Sequence, residues 1–495
     1  MLRRARFAAA FLAILASVEG VAAADPLADR LDAALAAGAL RGGRIAALVV
    51  ELKSGAERYA RRPDVAMVPA SNLKILTALG VLSAFGPTHR FVTEVRSDAP
   101  PDGDGRVGTL YLRGGGDPGL TSEDFWRLAA DLRRAGLRGV EGDLVLDDSA
   151  FDAERWHPSW MDVSARAYHA PVGALNVNYG AFAVVVEAGR HPGEPVRAQL
   201  DPEVPFLRLV NRARTGPVRA GRSLSLERRD APHGDELLIR GALPAGREAR
   251  TLHRSVSDPA RYAGAVLRMQ LRALGIEVAG VTRRGSAEEA PNALLAYEGP
   301  ALSDSVQRFL KYSNNSMGEA LLKALGARSQ AGIGSWPAGV AALREELATL
   351  GVPLEGLRVV DGSGLSYENR ISPRQLVAAL RVGAESFRFG PEFLAGLPIA
   401  ALDGTLEERA EAASGRVRAK TGLLTRVTGL SGFAEQEDGT VLLFALLVNG
   451  FRGSAESVMR SVDGFAAALL ASDSRASTIG ESDAGPASGL GPGGG

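Results

Sequence analysis

The chain has 495 residues, 46% hydrophobic and 23% charged, with a formal net charge of zero. That apolar content suffices for more than one core, so two or three domains are expected, and the charge balance argues against the basic face that nucleic-acid binding needs. The absence of cysteine excludes disulfides, thiolate catalysis and Cys-ligated metals, and the six histidines (His89, His157, His169, His191, His233, His253) show no metal-ligand spacing. Neither a metal nor a cofactor is expected.

At the N-terminus, Arg3, Arg4 and Arg6 precede a short apolar run from Phe7 to Ala16, and Ala22-Ala23-Ala24 supplies small residues before Asp25. This reads as an export signal over 1–24, because the apolar run is too short to span a bilayer comfortably. The mature protein is therefore expected outside the cytoplasm. Arg44 to Glu51 reads as a strand, and Ser54-Gly55 turns it into a second. Pro69-Ala70-Ser71 opens a helix reaching about Ala84, where Gly86-Pro87 stops it. Its leucines cover more than one face, the mark of a buried helix.

From about Phe91 to Pro300 the texture changes to short alternating strands with many Gly, Pro and Arg. Examples are Gly108–Leu112, Gly142–Leu146 and Glu236–Arg240, read as one or two β-rich inserted domains. Helical patterns return at Leu302–Tyr312, Met317–Leu325 and Trp336–Leu350. Arg416–Lys420, Val427–Gln436 and Val441–Val448 then read as strands, and Ala455–Leu470 as an amphipathic helix. The Ser/Gly/Pro/Asp composition from 471 onward predicts a disordered tail.

Lysine is scarce: Lys53, Lys74, Lys311, Lys323 and Lys420 stand against 52 arginines among 57 basic residues. An ammonium can lose its proton when desolvated and act as a base, which a guanidinium cannot. Lys74 lies three residues after Ser71, close enough on a helix to activate that hydroxyl in place of a histidine. The backbone N–H of Ser71, at a helix start, is suited to a developing oxyanion. Ser313-Asn314-Asn315 falls between two helices, where it reads as a cap or as a hydroxyl and an amide directed at a substrate. Lys420-Thr421-Gly422 ends a strand; it reads as a plain terminus, or as a cation and a hydroxyl for a carboxylate beside a glycine that lets substrate lie close.

In this order the three motifs resemble the penicillin-binding protein and serine β-lactamase superfamily. The separation of about 240 residues between the first two is longer than a typical domain and resembles the class C low-molecular-mass members, the D-alanyl-D-alanine carboxypeptidases/endopeptidases of peptidase family S13. Tyr111-Leu112-Arg113-Gly114-Gly115-Gly116-Asp117-Pro118, Gly142-Asp143-Leu144-Val145-Leu146-Asp147-Asp148, Tyr168-His169-Ala170-Pro171 and Asp361-Gly362-Ser363-Gly364-Leu365-Ser366 are also similar to that family.

The resemblance implies an α/β (α+β) transpeptidase-like domain with an antiparallel sheet flanked by helices, built from 25–92 and 296–470. Within it, one insert (93–170 and 265–295) would enclose another (171–264). Ser71 would attack the bond between two D-alanines of a peptidoglycan stem peptide and form an acyl-enzyme, with β-lactams as covalent inhibitors. Lys74 would be the base, Ser313 and Asn315 would assist proton transfer and positioning, and Lys420 and Thr421 would take the terminal carboxylate. Gly422 would give the substrate room, and the N–H groups of Ser71 and Leu423 would form the oxyanion hole. Asp162, after Trp160-Met161, would meet the diamino-acid side chain of the stem. Members of the family often carry Arg after Gly-Leu-Ser; Tyr367 stands there, with Arg370 nearby. The same apparatus also suits a β-lactamase or esterase, and a peptidoglycan-binding scaffold on an inactive fold is the reading from another class.

Overall fold

The computed structural model describes residues 26–471, apart from 220, 222, 330 and 331. The leader read at 1–24 and the tail beyond 471 lie outside the described residues. A five-stranded antiparallel sheet organises the body, in the order Val417–Leu424, Val427–Glu435, Val441–Asn449, Arg44–Glu51, Glu57–Arg61. The first long strand of the chain therefore sits beside the last. Both faces of this sheet are covered, so both alternating sets of side chains must be apolar. Ala46, Leu48 and Val50 join one core with Leu443, Ala445 and Leu447; Ile45, Ala47 and Val49 join another with Leu442, Phe444 and Leu446. That is why Arg44–Glu51 and Val441–Val448 read as unbroken apolar runs.

In chain order the helices are α1 (Pro26–Leu35), α2 (Lys74–Phe85), α3 (Ser122–Arg134), α4 (Pro259–Ala273) and α5 (Leu302–Lys311). α6 (Asn315–Arg328), α7 (Trp336–Thr349), α8 (Pro373–Glu385), the short α9 (Gly390–Gly396) and α10 (Ala455–Ala468) follow. α1 and α10 cover one face of the sheet, while α2 and α5 to α9 build the other side. α2 is central: every residue from Lys74 to Leu82 is buried, among α5, α6, α7 and α8. Among the described residues no helix is long and apolar enough to cross a membrane.

The chain leaves and re-enters this body through two strands paired antiparallel, Arg90–Ser97 and Asn292–Ala301. They form one side of a second five-stranded sheet, ordered Thr282–Arg284, Leu144–Asp147, Leu110–Arg113, Arg90–Ser97, Asn292–Ala301. The strand reading of this region is incomplete, because α3 and α4 pack here. α3 presents Phe125, Leu128, Ala129 and Leu132 to the core at helical spacing and starts on a Thr121/Asp124 capping box. Smaller three-stranded sheets lie between 181 and 255. One apolar cluster runs from Val95 and Leu112 through Phe125 and Leu267 to Val184 and Leu237, so the nested parts share a core.

Leu79 is fully buried at the centre of α2. Leu79→Ala is expected to lower stability by about 2–5 kcal/mol through the cavity it leaves. A reduced urea midpoint would register this, and an unchanged midpoint would show that α2 is not central to the core.

Candidate active site

Ala70–Leu73 is one turn of 3₁₀-helix that leads into α2, so Ser71 precedes the α-helix instead of opening it. With three residues per turn, positions i and i+3 stack directly. Lys74 thus sits under Ser71, its Nζ 3.0 Å from the Ser71 Oγ. The turn lies tight against its surroundings. Gly364, at φ 82°, has no space for a side chain, since a Cβ there would be 2.0 Å from the Ala70 carbonyl oxygen.

Gly422 also packs against this turn. A Cβ on it would fall 2.6 Å from Asn72 Nδ2 and 2.9 Å from the Pro69 oxygen. Gly429, its cross-strand partner, faces Asn72 in the same way. Whatever room Gly422 gives a substrate, its missing side chain also lets the strand approach the Ser71 turn.

Lys74 is fully buried. Its Nζ donates to Asn315 Oδ1 at 2.8 Å and to the Ser363 carbonyl at 2.8 Å. Asn315 Nδ2 donates to the Tyr168 carbonyl at 3.0 Å, which orients the amide so that its oxygen faces the lysine. Burial pushes Lys74 down to about 7, against the opposing charges of Glu319 and Asp361. A neutral amine has two N–H bonds and one lone pair. Asn315 Oδ1 and the Ser363 carbonyl can only accept, so they take the two N–H bonds and leave the lone pair for the Ser71 hydroxyl. The arrangement is that of a base aimed at an alcohol.

Ser71 opens on a cleft of about 780 Å³ whose walls include Ser313, Asn315, Asp162, Tyr367 and Leu423. Ser313 adopts φ 55°, while Asn314 caps α6 by accepting from the Met317 N–H at 3.1 Å. Capping thus falls to the middle residue of the triplet, and its neighbours reach the cleft. Val417–Leu424 is the edge strand of the main sheet. Its Ala419 N–H points off that edge, to the Pro398 oxygen at 2.9 Å. Alternation directs the N–H groups of Thr421 and Leu423 to the same side.

Lys420 and Thr421 are buried on the edge strand just before Leu423, which is on the cleft wall. Lys420 is fully buried, with its Nζ on the Thr421 carbonyl at 3.1 Å, and burial, helped by the charges of Lys74 and Arg409, pushes its pKa far down. The Thr421 hydroxyl meets that of Thr405 at 2.8 Å. Asp162 is on the wall, two residues after Trp160, whose Nε1 donates to Asp361 Oδ2 at 3.1 Å. Arg370 serves its own loop, donating to the Tyr367 and Asn369 carbonyls at 2.6 and 2.8 Å, and Tyr367 takes the place on the wall.

Sequence reasoning met Tyr168 and His169 only as part of a family-like stretch, and did not single out Arg426 on the wall or Glu319 beneath it. For Glu319 a signal existed: it lies four residues after Asn315, on the same helical face.

The sequence profile of the D-Ala-D-Ala carboxypeptidase 3 (S13) family matches residues 27–469. The chain belongs to this family. Over 446 residues it is 35% identical to a D-alanyl-D-alanine carboxypeptidase of Actinomadura sp., covering 87% of this chain and 82% of that protein. Among solved structures, penicillin binding protein 4 of Haemophilus influenzae superposes with a TM-score of 0.74 at 25% identity, over 87% of this chain and 96% of that one. The same protein complexed with a β-lactam superposes with a TM-score of 0.70 at 24% identity, over 87% and 97% of the two chains. In this S13 member, then, the mixed α/β body brings Ser71, Ser313 and Asn315 to one cleft, with Lys420 and Thr421 buried on the strand that leads to Leu423 on its wall.

Gly422→Ala is expected to cost about 1–3 kcal/mol by forcing the strand off the Ser71 turn. Thermal unfolding measures this; an unchanged midpoint would show that the strand has room to spare.

Proposed function

We propose that the protein is a penicillin-sensitive serine D-alanyl-D-alanine carboxypeptidase that trims peptidoglycan stem peptides outside the cytoplasm. The observation carrying this reading is the buried Lys74 amine, 3.0 Å from Ser71 Oγ and flanked by two oxygens that only accept. Ser71 Oγ attacks the carbonyl carbon between the two D-alanines while its proton passes to Lys74 Nζ. The N–H groups of Ser71 and Leu423 receive the oxyanion. Collapse expels the terminal D-alanine, whose amine takes a proton through Lys74 or Ser313, and leaves an ester on Ser71. Water then hydrolyses the ester.

Asn315 keeps the base oriented between Tyr168 and Ser71. Lys420 and Thr421 receive the terminal carboxylate. The negative charge of that carboxylate offsets the burial and the Lys74 repulsion that weaken the Lys420 ammonium. Cleavage of a cross-link, where the leaving amine belongs to a neighbouring stem, uses the same steps and is the finer part of the proposal. Export rests on the leader read at 1–24. In the division into a body (25–92 and 296–470), an insert (93–170 and 265–295) and a nested insert (171–264), the separate apolar core of the inserted region supports the first boundary, while the two inserts share that core.

Ser71→Ala is expected to abolish covalent labelling by a fluorescent penicillin and the release of D-alanine from a stem peptide; labelling that persists removes Ser71 from its role. In the wild type, acylation should rise as pH passes through about 7, because the unprotonated amine is the active form and the Lys74 proton is lost there. Lys74→Arg stays charged and should be slower by at least about 10²-fold across that range. An arginine variant with a wild-type rate would overturn the base.

Asp162 stands on the wall beside Ser71, where its carboxylate suits the free amine of a diamino-acid side chain. Asp162→Asn should weaken cleavage of such peptides by roughly tenfold or more, as expected for one charged hydrogen bond, and spare a simple D-Ala-D-Ala substrate. Equal losses on both substrates would remove that role.

A further inference from the structure

Glu319 is a fully buried carboxylate beneath the cleft. Its Oε1 accepts from the Ser363 N–H at 2.8 Å, and its Oε2 from the Gly362 N–H at 2.9 Å and Trp336 Nε1 at 2.7 Å. All three donors would be buried and unpaired without it. Ser363 is the residue whose carbonyl receives Lys74 Nζ at 2.8 Å. The peptide plane of that carbonyl ends in the Gly364 N–H, which Asp361 Oδ1 holds at 2.9 Å. Thr77, one turn beyond Lys74, donates to the Gly362 carbonyl at 2.8 Å. The loop that supplies one of the two accept-only oxygens is thus fixed from both sides.

We infer that Glu319 is a positioning residue for acylation: by clamping the Gly362 and Ser363 N–H groups it holds the Ser363 carbonyl on Lys74, which keeps the lysine lone pair directed at Ser71. The inference rests on the Ser71–Lys74 reading and adds a residue to it. An ion pair is not needed for this role, since Glu319 binds the loop and not the lysine. Its charge nevertheless acts at a distance. The charged groups facing Lys74 are Glu319 from α6, Asp361 from the loop and Lys420 from the edge strand, whereas α5 offers only Phe309. Burial and the charge of Asp361 push the Glu319 carboxyl up, and its N–H donors oppose that rise by favouring the anion.

The test is Glu319→Gln, which keeps the shape but turns an amide NH₂ toward backbone N–H groups. The rate of acylation by a fluorescent penicillin should fall by about tenfold to a hundredfold, part of the roughly 10²–10⁴ a positioned base contributes. The acidic limb of its pH profile should also move to lower pH, because losing an anion favours the unprotonated amine. A rate and a profile equal to wild type would overturn the inference. Trp336→Phe separates positioning from general loosening: it removes a donor from the same carboxylate and leaves both loop bonds. It should acylate close to the wild-type rate, and an equal loss there would overturn the positioning role. If Glu319→Gln does not fold, Glu319→Asp retracts the carboxylate by one methylene; it should slow acylation, and a wild-type rate would count against the clamp. Ser71→Ala in the same assay separates the two levels. Labelling of that variant would overturn the Ser71–Lys74 reading itself, whereas its silence beside a fully active Glu319→Gln would overturn only the clamp.

Discussion

A lysine amine held dry among three oxygens is the constraint around which the body of this protein is arranged. To bury Lys74 completely, α2 must be covered on every side, and five other helices and a two-faced sheet do that. To keep the buried amine useful, its partners must come from different parts of the chain: Ser71 from the turn before α2, Asn315 from α6 and Ser363 from the loop after α7. A shift in any of these elements would leave a buried nitrogen with a missing partner, which is costly in a low-dielectric interior. The geometry around Lys74 and the stability of the body therefore rest on the same set of bonds.

Burying several charges so close together needs compensation. Lys74, Lys420, Glu319 and Asp361 are all fully buried. Asp361 alone accepts from the N–H groups of Gly364 and Ser366, the Asn369 amide and the Trp160 indole. Such donors let a carboxylate remain in place where a bare ion would be driven out. The scarcity of lysine acquires a physical sense in this light. Of the five, Lys74, Lys311, Lys323 and Lys420 are buried, and Lys53 is exposed. Lys311 donates to the Leu397 carbonyl and Asp403, and Lys323 to Asp152 and the Glu154 carbonyl while lying 3.7 Å over the Trp336 ring. Four of the five lysines thus occupy narrow places where one compact cation meets fixed acceptors.

The inserted region is joined to the body by more than its two paired strands. Lys323 binds Asp152, Ser159 meets Ser366 at 2.7 Å, Trp160 reaches Asp361, and Asn315 takes the Tyr168 carbonyl. All four contacts come from the stretch 152–169, which also brings Asp162, Tyr168 and His169 to the cleft wall. The loop that orients Lys74 and the lip of the cleft are thus tied to the same buried carboxylate, Asp361.

Much of the local structure was legible in the residues. The strand read at Arg44 to Glu51 and the strands and helix from 416 onward stand where periodicity put them, within a few positions. Ser71, Lys74, Ser313, Asn315 and Lys420 could be picked out because their residue types and order are unusual for a chain so poor in lysine. α3 and α4 were hidden by the surrounding alternation of short strands, although α3 carries a capping box. What no local pattern could supply was which side of each motif faces what. The packing of Gly422 against Asn72, the burial of Lys420 and the grip of Glu319 on the 362–363 amides all depend on contacts between segments tens to hundreds of residues apart. Periodicity and turn chemistry act over a few residues, so the sequence by itself determined most elements of the body and the candidate site side chains. Only tertiary packing, which closes the sheet from both ends of the chain and excludes water from Lys74, decided how those side chains work together.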